Sequence, residues 1–206
     1  MEALDLLKKD WKNQELAFEQ VSEASIYGML HKKSSSIVKW ILMISLFELG
    51  LGLVLSIFSF DMELLQKIEN SDYGTFIKIA TVFNYVVILF FVYQFYKNYK
   101  KIAATNATKK LMDDIIATRK TVRNYIFYNL VMVGVSVIFG ILYAFNQNPN
   151  FDSIEMNLKN ILIFVCISVV IVGGFVAGFW LIYRLIYGRL LRKLFANYKE
   201  LQKIDL

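Results

Sequence analysis

Four unbroken apolar runs, each about as long as a bilayer is thick, leave this chain few ways to fold. They occupy residues 40–60 (WILMISLFELGLGLVLSIFSF), 76–96 (FIKIATVFNYVVILFFVYQFY), 125–145 (YIFYNLVMVGVSVIFGILYAF) and 161–183 (ILIFVCISVVIVGGFVAGFWLIY). A helix needs about 20 apolar residues to cross a hydrocarbon core about 30 Å thick. None of the four contains proline, so each can close its backbone hydrogen bonds internally, as lipid requires. The expected fold is therefore all-α: a four-helix transmembrane bundle with helical cytoplasmic extensions. With 57% apolar and 19% charged residues, the chain departs from soluble domains, which run about 45–50% and about 25%. The same hydrophobicity excludes a disordered chain.

Lysine and arginine set the orientation. Of 23 such residues, 20 fall before the first run, between the second and third, or after the fourth, leaving Lys67, Lys78 and Lys159. The opposite connections carry Asp61, Glu63, Glu69, Asp72, Asp152 and Glu155. The positive-inside rule then places both termini in the cytoplasm, with the protein in a cell's inner (plasma) membrane. The first 36 residues have no continuous apolar core, so the first span is expected to act as its own uncleaved insertion signal. Aromatic residues gather at both edges of the spans, with Trp40, Tyr96, Tyr125, Trp180, Tyr183 and Tyr187 near the inner one, where amphipathic rings favour the headgroup level.

The inner side holds more than loops. The expected division is a cytoplasmic amphipathic segment over 1–36, the spans over 37–188 with a helical hairpin around 97–124, and a basic amphipathic tail over 189–206. Leu4, Leu7 and Trp11 form an apolar stripe, and Ser22 is placed to cap a helix running through Ile26, Met29 and Leu30. Leu111, Ile115, Val122 and Ile126 share one face, so the third span extends inward toward Thr108. The tail repeats the pattern with Leu191, Leu194, Phe195, Tyr198 and Leu201. These helices either pack below the membrane as a continuation of the bundle, which we expect, or lie along anionic lipid. Candidate partner or lipid contacts are Trp11, Ile26, Leu30, Arg189, Arg192 and Lys193. On the outer side, Asp152 or Ser153 is placed to cap the helix entering the fourth span.

Lipid gives helices no hydrophobic reason to associate, so small and polar residues carry that role. Ser45, Glu48, Gly52, Ser56 and Ser59 lie on one face of the first span. Gly140 in the third span and the pair Gly174 and Gly178 in the fourth are further packing candidates, within the chain or in a dimer. Glu48 is the only acid inside a span, about 12 Å from Trp40 along the axis. A carboxyl at that depth is costly and marks a functional candidate. With Asn84, Ser45 and Asn129 it makes up the candidate intramembrane polar site. Unless the helices shift, Glu48 and Asn84 are offset by about 6 Å along the membrane normal, so a direct bond between them is marginal and their contact needs a water bridge or a helix offset.

Known catalytic chemistry has little to stand on. A serine triad would need His31, which sits beside Lys32 and Lys33 without a local acid. Cys166 has no nearby base and reads as packing. One histidine and one cysteine exclude multi-imidazole metal sites and a disulfide framework, and no glycine-rich phosphate loop is present. No enzyme activity, cofactor or metal is expected. The positive charge is explained by topology, so no nucleic acid is expected either.

The stretches LDLLKKDWKNQE and IYGMLHKKSSSIVKWIL, ahead of a four-span body, resemble a family of short bacterial membrane proteins of unestablished function. Some relatives carry a carotenoid-oxygenase label, which implies an iron held by several histidines, and His31 alone cannot supply that set. The function expected is a non-enzymatic membrane protein, either a partner-binding subunit or a signalling anchor acting through its cytoplasmic helices, with a protein partner or a second copy bound. The alternative is a small proton-coupled transporter using Glu48.

Overall fold

The computed structural model describes residues 22–58, 74–147 and 157–204. They form four helices, α1 (Glu23–Phe58), α2 (Gly74–Ala104), α3 (Thr108–Gln147) and α4 (Leu158–Ile204). All four are long and apolar enough to cross a membrane, and no strand occurs among the described residues. The expected all-α four-helix architecture is what the chain adopts. Trp11 and the caps expected at Asp152 and Ser153 lie outside the described residues.

Each helix packs against its two neighbours around a ring, α1 on α2, α2 on α3, α3 on α4 and α4 back on α1. This is the arrangement that short connections between antiparallel helices favour. Segments expected to be separate are continuous rods. Ser22 caps α1, its hydroxyl accepting from the Ser25 amide at 3.3 Å and its carbonyl from Ile26 at 3.0 Å, and the helix then runs unbroken into the first apolar span. Likewise α4 passes through position 189 without a break for all 47 residues.

Among the described residues the core occupies one end, the end rich in lysine and arginine. One layer joins Leu30, Val38, Ile102, Leu111, Ile115, Leu194 and Leu201. A second layer, toward the apolar spans, joins Ile41, Phe95, Val122, Tyr125 and Tyr187. The buried positions of α1 (30, 34, 38, 41, 45) and α3 (111, 115, 118, 122, 125) recur every three or four residues. On α4, Tyr187, Leu194 and Leu201 repeat every seven, with Leu191 and Tyr198 packed between them. That spacing is the seam of helices packed side by side at a shallow angle. The apolar stripes of the basic-end helices therefore face one another rather than a lipid surface. Leu30 is buried and Ile26 packs against the same layer, so the exposed contact face expected of these two is used inside the bundle.

A three-residue connection joins α2 to α3, and α1 holds it. Helix α2 ends with carbonyls that have no partner within the helix, and side chains from α1 supply donors. The Nε2 atom of His31 lies 2.7 Å from the Ile102 carbonyl, so that nitrogen carries the proton. The Tyr27 hydroxyl donates to the Thr105 carbonyl at 3.0 Å, and its ring stacks on His31 at 5.9 Å. Thr105 in turn donates from its hydroxyl to Asp114 at 3.0 Å. The single histidine is thus a helix-end donor. Deeper in the bundle, Asn197 donates to Ser34 at 3.0 Å and ties α4 to α1.

Because packing is concentrated at this end, truncations should differ sharply with position. Leu194→Ala removes a fully buried side chain and should cost about 2–5 kcal/mol, read as a lower unfolding midpoint of the full chain in mild detergent. Val170→Ala, at a position 73% exposed, should leave that midpoint within error.

Candidate functional site

Where the core ends, α1 carries Glu48, one turn beyond the buried Ser45. The Tyr125 hydroxyl of α3 donates to the Glu48 carboxyl at 2.6 Å. Tyr125 is 1% exposed and sits at the centre of four rings that meet it edge-on: Phe91 at 5.5 Å, Phe95 at 5.4 Å, Tyr183 at 6.5 Å and Tyr187 at 6.0 Å. Edge-to-face pairs of this kind add to the energy of simple burial. The Tyr187 hydroxyl stands beside the same carboxyl but outside hydrogen-bond geometry, and among the described residues it has no hydrogen-bond partner. The result is a carboxyl held by one phenol, with a second phenol alongside, at the boundary between the packed core and the apolar spans.

The other polar residues expected to join Glu48 are engaged separately. Asn84 accepts from the Tyr128 hydroxyl at 3.0 Å. Asn129 donates to the Tyr125 carbonyl at 2.9 Å, which turns its amide back along its own helix. Ser45 donates to the Leu42 carbonyl at 2.8 Å. Glu48 and Asn84, whose expected offset made a direct bond marginal, are held in two separate tyrosine–polar pairs on α3, bridged by Phe91, whose ring lies 5.5 Å from Tyr125 and 6.0 Å from Tyr128. Tyr125 and Tyr187, expected at the membrane edge as anchoring aromatics, are interior. Trp40, Tyr96 and Trp180 are exposed, as edge anchors should be. Among the described residues no group of three histidine, cysteine, aspartate or glutamate side chains could hold a metal ion.

Comparison with known protein families finds a match to a family described as Domain of unknown function (DUF8845), over residues 24–206. The chain belongs to this family. No curated protein matches it, and no solved structure does. The DUF8845 match takes in all four helices but for Glu23 at the start of α1, and every residue of the Glu48–Tyr125 cluster, while Trp11 precedes it.

The glycines expected as packing positions of this DUF8845 chain do not bring its own helices together. A Cβ added at Gly52, Gly140, Gly174 or Gly178 would meet no atom within 4 Å. The close approach lies instead at Gly134, where a Cβ would sit 3.6 Å from Val176. Those four glycines therefore make no close approach to a neighbouring helix, whereas Ser45 and Glu48, on the same face of the first span as Gly52, are buried and bonded to α3 respectively. Arg189, Arg192 and Lys193 are all exposed. Sequence reasoning missed Tyr125 as the hub. The expected stripe through Leu111, Ile115 and Val122 continues to Ile126, which is only partly buried; the fully buried face passes instead through Thr118 and Tyr125, one position away.

The two phenols should respond differently to loss of their oxygen. Tyr125→Phe leaves the buried side of Glu48 without its donor and should cost about 1–3 kcal/mol. Tyr187→Phe deletes a hydroxyl without a partner and should be neutral or stabilising. Thermal unfolding of both variants in one detergent decides the order, and equal losses would contradict the geometry.

Proposed function

We propose that this chain is a non-enzymatic integral protein of a bacterial inner membrane, with its basic end in the cytoplasm, where it binds a protein partner or a second copy of itself. The orientation rests on the concentration of lysine and arginine at the end where the core lies. The observation that carries the partner reading is a cationic–aromatic patch on the outside of that end. The Arg119 guanidinium of α3 stacks over the Phe195 ring of α4 at 4.1 Å, and the Lys199 ammonium lies 5.2 Å from the same ring. Tyr198 stacks on Phe195 at 5.8 Å. Arg192 precedes Phe195 by one turn and is exposed. Arginine and aromatic side chains are the ones enriched at protein interfaces, and fixed positive charge suits an acidic partner. Since Leu30, Leu111 and Leu194 complete the bundle's interior, this outer patch is where a partner would be met.

A photo-crosslinking residue introduced at position 192 of the full chain, in cells, should give one discrete adduct. Arg119→Glu combined with Lys199→Glu should abolish it. Absence of an adduct, or an adduct indifferent to the charge reversal, sinks this reading.

A second reading, a proton-coupled carrier, is favoured by one feature: the Glu48 carboxyl with the partnerless Tyr187 hydroxyl beside it. It requires that Glu48→Gln abolish substrate-dependent proton flux in liposomes, and unchanged flux removes it. The partner reading is preferred because Glu48 is already engaged by Tyr125.

A further inference from the structure

Between α1 and α4, on a different face of α4 from the aromatic patch, lies a groove of about 780 Å³. Its α1 wall includes Met29, Lys32, Lys33 and Trp40, and its α4 wall includes Leu190 and Lys193. Positions 29, 32, 33, 36, 37 and 40 recur at helical spacing, so the groove follows one face of α1 along its length. At its base Asn197, which also lines it, is bonded to Ser34, and this bond fixes the separation of the two helices. All three lysines are exposed, and no acidic side chain lines the groove among the described residues.

The groove changes character along its length. Trp40 begins the first apolar span and is 56% exposed, which suits an indole at the hydrocarbon edge. Lys33 and Lys32 follow seven and eight residues away, about 10–12 Å along the axis. The polar layer of one leaflet is about 5–8 Å deep, and a lysine stem lying along apolar surface brings its ammonium back toward that layer. A ligand here meets apolar wall at one end and a cluster of ammonium groups at the other.

The geometry points to a binding site for one anionic phospholipid from the leaflet at the basic end, its phosphate among Lys32, Lys33 and Lys193 and its glycerol and upper acyl chain against Trp40 and Leu190. A free phosphate would use the lysines but leave the apolar wall empty, and a neutral lipid would use the wall but leave the lysines unmatched. A second lysine-rich groove, between α2 and α3, measures about 640 Å³ and includes Lys97, Lys100, Lys101 and Lys110. Asp114 lines that one, which makes it a control for charge without the same complementarity.

Trp40 supplies the readout. With Trp11→Phe and Trp180→Phe in the full chain, Trp40 is the remaining tryptophan of three. The protein is placed in phosphatidylcholine nanodiscs containing a minor fraction of brominated phosphatidylglycerol or of brominated phosphatidylcholine. Lysines beside an anionic surface are worth about fivefold in affinity each, so quenching by the brominated phosphatidylglycerol should be much the stronger. Lys32→Gln, Lys33→Gln and Lys193→Gln together should reduce it to the phosphatidylcholine level. Lys97→Gln with Lys100→Gln should leave it in place. Equal quenching by the two lipids in the unsubstituted background overturns the assignment. Equal loss in the control variant makes the effect one of general surface charge, and relief of quenching by inorganic phosphate makes the occupant a free anion. Either result also overturns it.

Discussion

The hydrophobic effect acts only against water, and the distribution of buried residues in this bundle follows from that. Within hydrocarbon, moving a leucine from lipid to a neighbouring helix gains little, and packing must be driven by close fit or polar contact. At the water-facing end the full burial energy returns, about 25 cal/mol for each Å² of apolar surface removed. The two core layers accordingly stand at the basic end, whereas the most apolar stretch of each helix is at most 11% buried. The four rods are gathered at one end and leave most of the apolar surface of their spans uncovered by one another.

The polar contacts follow this division. Below the spans they close helix ends and fix spacing, as with His31 on the Ile102 carbonyl and Asn197 on Ser34. At the upper limit of the core the Glu48–Tyr125 bond joins α1 to α3, helices that lie diagonally across the ring and touch less than any adjacent pair. A carboxyl needs a donor most where water is scarce, and the phenol that supplies it is itself immobilised by four surrounding rings.

Much of the architecture was legible because helical periodicity and charge are local signals. The four runs, the cap at Ser22 and the stripe through Leu111, Ile115 and Val122 all appear where the pattern puts them. What escaped was the rotation of each helix within its span. When every face is apolar, the sequence does not mark which one turns inward, so Gly174 and Gly178 could not be told from a seam facing a neighbour. Tyr125 and Tyr187 were hidden for a related reason. A tyrosine near the end of a span suits either the headgroup layer or the interior, and only the position of Glu48 on a different helix separates the two.

The continuity of α4 has a mechanical consequence. At 1.5 Å per residue its 47 residues make a rod about 70 Å long, more than twice the hydrocarbon thickness. Such a rod, free of proline and unbroken where it leaves the span, behaves as a lever. In a bilayer, a few degrees of tilt at its apolar end would become a sideways displacement of several ångströms at Phe195 and Lys199, shared with α1 through the Asn197–Ser34 bond.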